Sequence, residues 1–289
     1  MKLLLFLIVS FGLGSTALLT GYNFNEPASK DVLPAVLHEI SGLAIIDSNT
    51  VACIQDENGI LFFYDTKTHK IKREIAFGLN GDYEGITLVN KSLFILRSDG
   101  VLFEIKNFSS PKFDIKTYAT QVPAVNNEGL CYDAASERLL IGAKGKINKD
   151  PLYRDQRFIY GFDLKTKSLN KKPVFQLNIN DINISAKLDG FKFAKRKDKK
   201  GNLIEISLKL NTSEIAIHPV TKQLYVLSAT DHCLFIFNMN GNLETITPLN
   251  PILFNKAEGL SFFPNGDLMV SNEGQAHQPT LLRFNYQSN

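Results

Sequence analysis

Tryptophan is absent from this 289-residue chain, and cysteine appears three times, as Cys53, Cys131 and Cys233. An odd cysteine count excludes a fully paired disulfide framework in a monomer, and no two of the three have metal-ligand spacing. Each lies in an apolar run such as TVACI or GLCYD, where a buried reduced thiol is expected. No charge of one sign dominates. Lys plus Arg number 32 against 29 Asp plus Glu, so the formal charge of +3 gives no global steering toward nucleic acid. HExxH pairs, Cys/His clusters, GxSxG elbows and glycine-rich phosphate loops are all missing, which removes the usual zinc, serine-hydrolase and nucleotide signatures. The five histidines are scattered. His218 precedes a proline and reads as structural, and His38 beside Glu39 is the one acid/base candidate, with no nucleophile spaced to meet it.

Long apolar runs are confined to the N-terminus. Met1-Lys2 is followed by LLLFLIVSFGLG and small residues, the composition of a secretory signal. The 17 apolar-rich residues from Leu3 to Leu19 are also the short limit for a retained membrane anchor. No cysteine lies near, which excludes a lipid-modified cysteine. Residues 1–21 are therefore expected as a signal peptide or N-terminal anchor and 22–289 as one domain outside the cytoplasmic membrane, in the periplasm or tethered through that segment.

What the domain does contain is a repeat. Five phrases read HEISGLAI, DYEGITLV, NNEGLCYD, TSEIAIHP and AEGLSFFP, and their glutamates are Glu39, Glu84, Glu128, Glu214 and Glu258. Successive glutamates are 45, 44, 86 and 44 residues apart. Each phrase opens an apolar strand, and a turn, a second apolar strand, a Gly- or Asn-centred turn and an aromatic-rich third strand follow. GITLV, SLFIL and VLFEI in the second repeat show the pattern. A period near 44 built of short strands predicts an all-β chain, a five-bladed β-propeller of four-stranded antiparallel blades. No sustained helical period is evident. The 86-residue interval reads as one elaborated blade with a lysine-rich insertion (Lys195, Arg196, Lys197, Lys199, Lys200), and six blades is the alternative. Asp65, Asp163 and Asn238 are expected to open the turns into outer strands by bonding their own backbone. The last repeat lacks its outer strand, and residues from Tyr22 to Ser29 are expected to supply it and so remove an open sheet edge.

Glutamates at one height around a propeller axis would repel, and a hard divalent cation relieves this. Calcium, with its oxygen-rich coordination, is expected to use a subset of Glu39, Glu84, Glu128, Glu214 and Glu258. The other reading of the same residues is blade-to-blade hydrogen bonding. A second polar set after the second strands includes Asp56, Arg97, Lys144, Asn272 and Glu273 and forms a possible ligand-binding rim.

The ordered set LPAVLHEISGLA, DYEGI, NNEGL, SEIAIHP with QLYVLSA, and AEGLSFFPNGDLMVSNEG resembles the SdiA-regulated-domain family of bacterial envelope proteins, from Leu33 to Phe284. The resemblance implies a five-bladed propeller, distantly like NHL repeats, with an N-terminal hydrophobic segment and a calcium site. The fourth phrase departs from the pattern by lacking the glycine after its glutamate. The expected function is an exported calcium-binding propeller that acts as a monomeric binding or scaffold protein of the envelope for a protein or small-molecule ligand, with no nucleic-acid partner. The alternative is a calcium-dependent phosphoesterase resembling propeller phytases, with Arg97 and Lys144 holding phosphate, or another esterase- or lactonase-like hydrolase.

Overall fold

Strands of five or six residues, apolar on both faces, alternate along the chain with tight polar turns, and they stack as five antiparallel sheets around an axis. The computed structural model describes residues 21–288 apart from 125, 146, 148 and 149. The expected leader therefore lies outside the described residues except for Gly21. Blade one is built of Ile40–Ile45, Thr50–Gln55, Ile60–Asp65 and Lys70–Ala76, and blade two of Tyr83–Val89, Ser92–Arg97, Val101–Lys106 and Asp114–Ala119. Blade three comprises Asn127–Asp133, Arg138–Ala143 and Gln156–Asp163, with an outer edge split between Ser168–Leu169 and Phe175–Asn178. Glu214–Ile217, Leu224–Ser228, Cys233–Phe237 and Leu243–Pro248 form blade four. The five innermost strands contact one another in a closed ring. The five-bladed reading holds, and the 86-residue interval is one enlarged blade.

The inner three strands of each blade are almost wholly buried, and most outer strands alternate or face water, as Lys70–Ala76 and Asp114–Ala119 do. Aromatic side chains fill the wedges between blades. Phe77, Tyr83 and Phe103 meet edge to face at centroid distances of 4.8–5.6 Å between blades one and two. The expected turn chemistry is present. Asp65 accepts from Thr68 N–H, Asp163 from Lys165 and Thr166 N–H, and Asn238 from Asn240 and Asn242 N–H.

Blade five consists of Ala257–Phe262, Leu268–Asn272 and Thr280–Phe284, and the N-terminal strand Ser29–Val32 completes it, paired antiparallel with Thr280–Phe284. The closing strand thus begins where the sequence reading ended it. Residues before it serve differently: Tyr22 and Phe24 are core plugs buried with Phe254 and Phe284. The Tyr22 hydroxyl meets His218 Nε2 at 2.8 Å and donates to the Gly266 carbonyl. His218 is fully buried, and that burial lowers its pKa to about 4, so it is a structural residue.

One helix, α1 (Ile179–Leu188), was not evident from the sequence. It follows blade three, is capped by the Asn178 side chain, and buries Ile179, Ile182 and Ala186. All three cysteines are buried and free. They sit in blade one (Cys53), blade three (Cys131) and blade four (Cys233), and burial pushes the Cys53 and Cys233 thiols up to about 12.

The glycine of the repeated phrase has a steric cause. A Cβ on Gly85 would lie 2.7 Å from the Glu128 carbonyl oxygen and from the Leu130 Cβ of the next blade. The inner strands approach too closely there for any side chain. Gly85→Ala is expected to destabilise the fold by about 1–3 kcal/mol, measured by urea unfolding; an unchanged midpoint would show that the blades can part freely.

Candidate functional site: an acidic axial mouth

Strand register decides which side chains reach the axis. The inner-to-second-strand pairing slips at Ser41, Glu84, Glu128 and Glu258, each the unpaired residue of a β-bulge immediately before the phrase's glycine. Blade one therefore presents Ser41, not Glu39, at the repeated position. Blade four is fixed by another regularity. Tyr83, Asn127 and Thr212 each donate a backbone N–H to the residue just after the second strand of the preceding blade, namely Asp56, Ser98 and Lys144. Ser213 consequently corresponds to Glu84 and Glu128, and Glu214 falls in the glycine's place. The repeated position reads Ser41, Glu84, Glu128, Ser213 and Glu258: three carboxyls and two hydroxyls, where five carboxylates were expected.

The two displaced glutamates have other surroundings. Glu214 is fully buried, and its Oε1 accepts from Leu130 N–H of blade three at 2.7 Å and from its own neighbour Ile215 N–H at 2.9 Å. It ties one blade to the next, as Ser41 does by donating to the Tyr83 carbonyl at 2.6 Å. Burial holds the Glu214 carboxyl well above its usual range, and Oε2 has no hydrogen-bond partner. Glu39 precedes its strand beside Asp56, whose carboxyl is pushed up to about 7 by burial and by Glu39, Glu273 and Glu57, and whose buried Oδ1 has no hydrogen-bond partner.

Around the three axial carboxyls, two lysines supply part of the counter-charge. Lys144 Nζ contacts Glu128 Oε1 directly. Lys256 Nζ lies 2.6 Å from Glu273 Oε2 and 3.6 Å from Glu258 Oε1. Burial raises the Glu84 carboxyl to about 9, with the charges of Glu128 and Asp82 adding to it. Burial likewise raises Glu128 to about 7, against the pull of Lys144. Glu258 is also raised, chiefly by burial, with Lys256 opposing. Glu84 is half-buried and has neither an ion pair nor a hydrogen-bond partner among the described residues, and Glu128 Oε2 is buried without a partner. With Glu39, Asp56, Asp82 and Glu273, seven carboxyls face two ammonium groups at this mouth.

The five residues named for the rim fall in different surroundings. Asp56, Lys144 and Glu273 belong to the mouth. Arg97 does not offer a free guanidinium: it grips Asp99 through two hydrogen bonds of 3.0 and 2.8 Å and lies over the Phe103 ring. Asn272 is buried and donates to the Leu253 carbonyl and to Thr280 Oγ1, which fixes the last blade. Lys256 escaped the sequence reading, although its place two residues before Glu258 matches that of Asp82 before Glu84. Among the described residues, no three Asp, Glu, His or Cys side chains converge closely enough to cage a metal by themselves.

The opposite ends of the same inner strands have a different character. Ile45, Leu88, Tyr132, Ile217 and Phe262, one from each blade, line a mostly apolar cup of about 650 Å³. The two mouths are therefore chemically unlike.

No protein-family model matches the chain, and no curated protein matches it by sequence. Among solved structures the fold is similar to that of glutaminyl cyclase from Myxococcus xanthus, at 12% identity and a TM-score of 0.60, over 91% of this chain and 96% of that one. It is also similar to the PQQ-bound aldose sugar dehydrogenase of Streptomyces coelicolor, at 12% identity and a TM-score of 0.51, over 90% of this chain and 99% of that one. Likeness at this identity is likeness of fold, and it places the chain among β-propellers.

Proposed function

We propose that the protein is a non-catalytic binding propeller of the cell envelope, of the SdiA-regulated kind, whose acidic axial mouth takes a divalent cation. The observation that carries this reading is unmet acceptor capacity at the mouth: Glu128 Oε2 is buried without a hydrogen bond although Oε1 meets Lys144, and the half-buried Glu84 has no partner among the described residues. A buried carboxylate oxygen without a partner costs on the order of 1–3 kcal/mol, and a cation or a proton removes that cost. Hard oxygen donors in excess of ammonium groups suit Ca2+. Glu84, Glu128 and Glu258 are the side chains around such an ion; they do not converge into a cage, so water would supply much of its shell, and Glu39 and Glu214 are not counted among the axial ligands. The same charge balance disfavours a phosphoesterase. A phosphate would meet seven carboxyls, Lys144 is engaged by Glu128, and Arg97 by Asp99.

Calorimetric titration of the metal-stripped protein with calcium tests the reading. Heat of binding is expected, with melting temperature rising as calcium is added; at about a hundred times Kd the gain is about 2.7 kcal/mol. Because the ligand carboxyls must lose protons, affinity should rise between about pH 6 and 9, the range set by Glu128 and Glu84. Glu128→Gln should abolish the response. Absence of both heat and stabilisation at pH 8 would sink the proposal and leave the carboxyls as proton-holding structural groups.

A further inference from the structure

The regular propeller is interrupted once, between blades three and four, and the interruption has a composition found nowhere else in the fold. Residues 184–206 carry seven basic side chains (Lys187, Lys192, Lys195, Arg196, Lys197, Lys199, Lys200) against three acidic ones. The rest of the chain is slightly acidic, since the whole has a net charge of only +3. None of the seven has an ion-pair partner among the described residues.

Large aliphatic side chains stand out to solvent in the same segment. Leu188 is 81% exposed, Leu203 68% and Ile184 59%. Ile184 and Leu188 are four residues apart, so they lie side by side on the outer face of α1, opposite the buried Ile182 and Ala186. Beyond the helix, Lys195–Lys197 pairs with Leu203–Glu205 as a two-stranded hairpin that joins no blade, and its register sets Arg196 against Ile204 and Lys197 against Leu203. Single exposed aliphatics are ordinary, as Leu79 and Ile252 show elsewhere in the fold; what sets this segment apart is that Ile184, Leu188, Leu203 and Ile204 fall together among seven unpaired cations.

We propose that residues 184–206 form a membrane-docking arm that seats the propeller on an anionic bilayer surface. Aliphatic tips can enter the headgroup boundary while the long lysine stems carry their ammonium groups to lipid phosphates and carboxylates. A nucleic acid is a poorer match, because single-stranded bases need exposed rings to stack on. Phe191 and Phe193 are the only rings in the segment; they meet edge to face at 5.2 Å and pack inward on the core shared by blades three and four.

The test is cosedimentation of the full chain with vesicles of phosphatidylcholine alone and of phosphatidylcholine with about one-third phosphatidylserine. Binding is expected to be about tenfold or more tighter on the anionic vesicles and to be largely lost in about 0.5 M salt. The variant Lys195→Glu/Arg196→Glu/Lys197→Glu should lose that preference, and Leu188→Ser/Leu203→Ser should weaken binding without changing its salt dependence. Both variants alter exposed positions, so their unfolding midpoints should equal the wild type's, which serves as the folding control. Equal binding to the two vesicle types, or wild-type binding by the charge-reversed variant, would overturn the proposal. So would retention on an immobilised acidic polymer without any vesicle binding, which would assign the arm to an acidic macromolecule.

Discussion

Removing residues 21–32 should unfold the protein rather than trim it. The deletion takes away Ser29–Val32, the only partner of Thr280–Phe284 on that side, and opens one sheet edge in an otherwise closed ring. It also removes Tyr22 and Phe24, both buried in the core of blades four and five, and uncovers Phe254, Phe284 and Tyr286. Loss of a buried aromatic side chain costs about 3–5 kcal/mol, so two of them rival the whole stability of an ordinary domain. The deleted chain is expected to give no cooperative urea transition. A milder variant separates ring from hydroxyl. Tyr22→Phe keeps the packing but leaves His218 Nε2 and the Gly266 carbonyl without their partner, at about 1–3 kcal/mol, and Tyr22→Ala adds the cavity. If the deletion variant melts cooperatively near the wild-type midpoint, the N-terminal strand is not what closes the ring.

Without added divalent cation, the fold should become less stable as pH rises from about 5 to 9, the reverse of ordinary acid denaturation. Glu84 is raised to about 9, and Glu128 and Asp56 to about 7, in each case mainly by burial. A carboxyl whose folded pKa lies above its unfolded value binds more protons in the native state throughout that interval. Its favourable contribution is complete below about pH 4.5 and disappears as pH passes the folded value. With solvent reaching half-buried Glu84, a loss of about 2–4 kcal/mol across the range is expected, or about 5–10 °C in melting temperature. Glu84→Gln stays neutral at all pH and should flatten the upper half of the decline. Calcium should flatten it as well, since a bound cation replaces the protons. Melting curves at about pH 5, 7 and 9 check this, and a melting temperature that rises with pH would refute it.

Blade number and strand order were legible because the inner strands are apolar on both faces and recur at a fixed period. The outer strands were harder to see. Ser29–Val32 is a mostly exposed edge with no apolar run to mark it, so the closing strand was expected a few residues upstream, where Tyr22 and Phe24 are in fact core plugs. Helix α1 was hidden because its asparagines and β-branched isoleucines are weak helix formers; packing on blade four and the Asn178 cap hold it instead. At the mouth, matching glutamate to glutamate misaligned two repeats. The residue that fixes the phase is the small one demanded by the close approach of inner strands. Anchored on Gly42, Gly85, Gly129 and Gly259, the phrases align as SGL, EGI, EGL, SEI and EGL, and Ser41 and Ser213 then fall in place. The lysines that offset part of the mouth's charge come from different places, Lys256 just before its phrase and Lys144 just after the second strand of blade three, and each pairs with a carboxyl of its own blade that is not its neighbour in sequence.

The three unpaired thiols place a reporter in each of three blades. Cys53, Cys131 and Cys233 are buried, and their thiols are held protonated by that burial, so they react slowly with a soluble alkylating reagent while the ring is shut; Cys131, which lines the apolar cup, is the nearest of the three to solvent. Fast reaction of each requires its own sheet to breathe. Mass-resolved pulse alkylation of the native protein would therefore time the opening of blades one, three and four as three separate clocks in one molecule. Equal rates would mean that the ring opens as a unit, and unequal rates would identify the blade at which it first gives way.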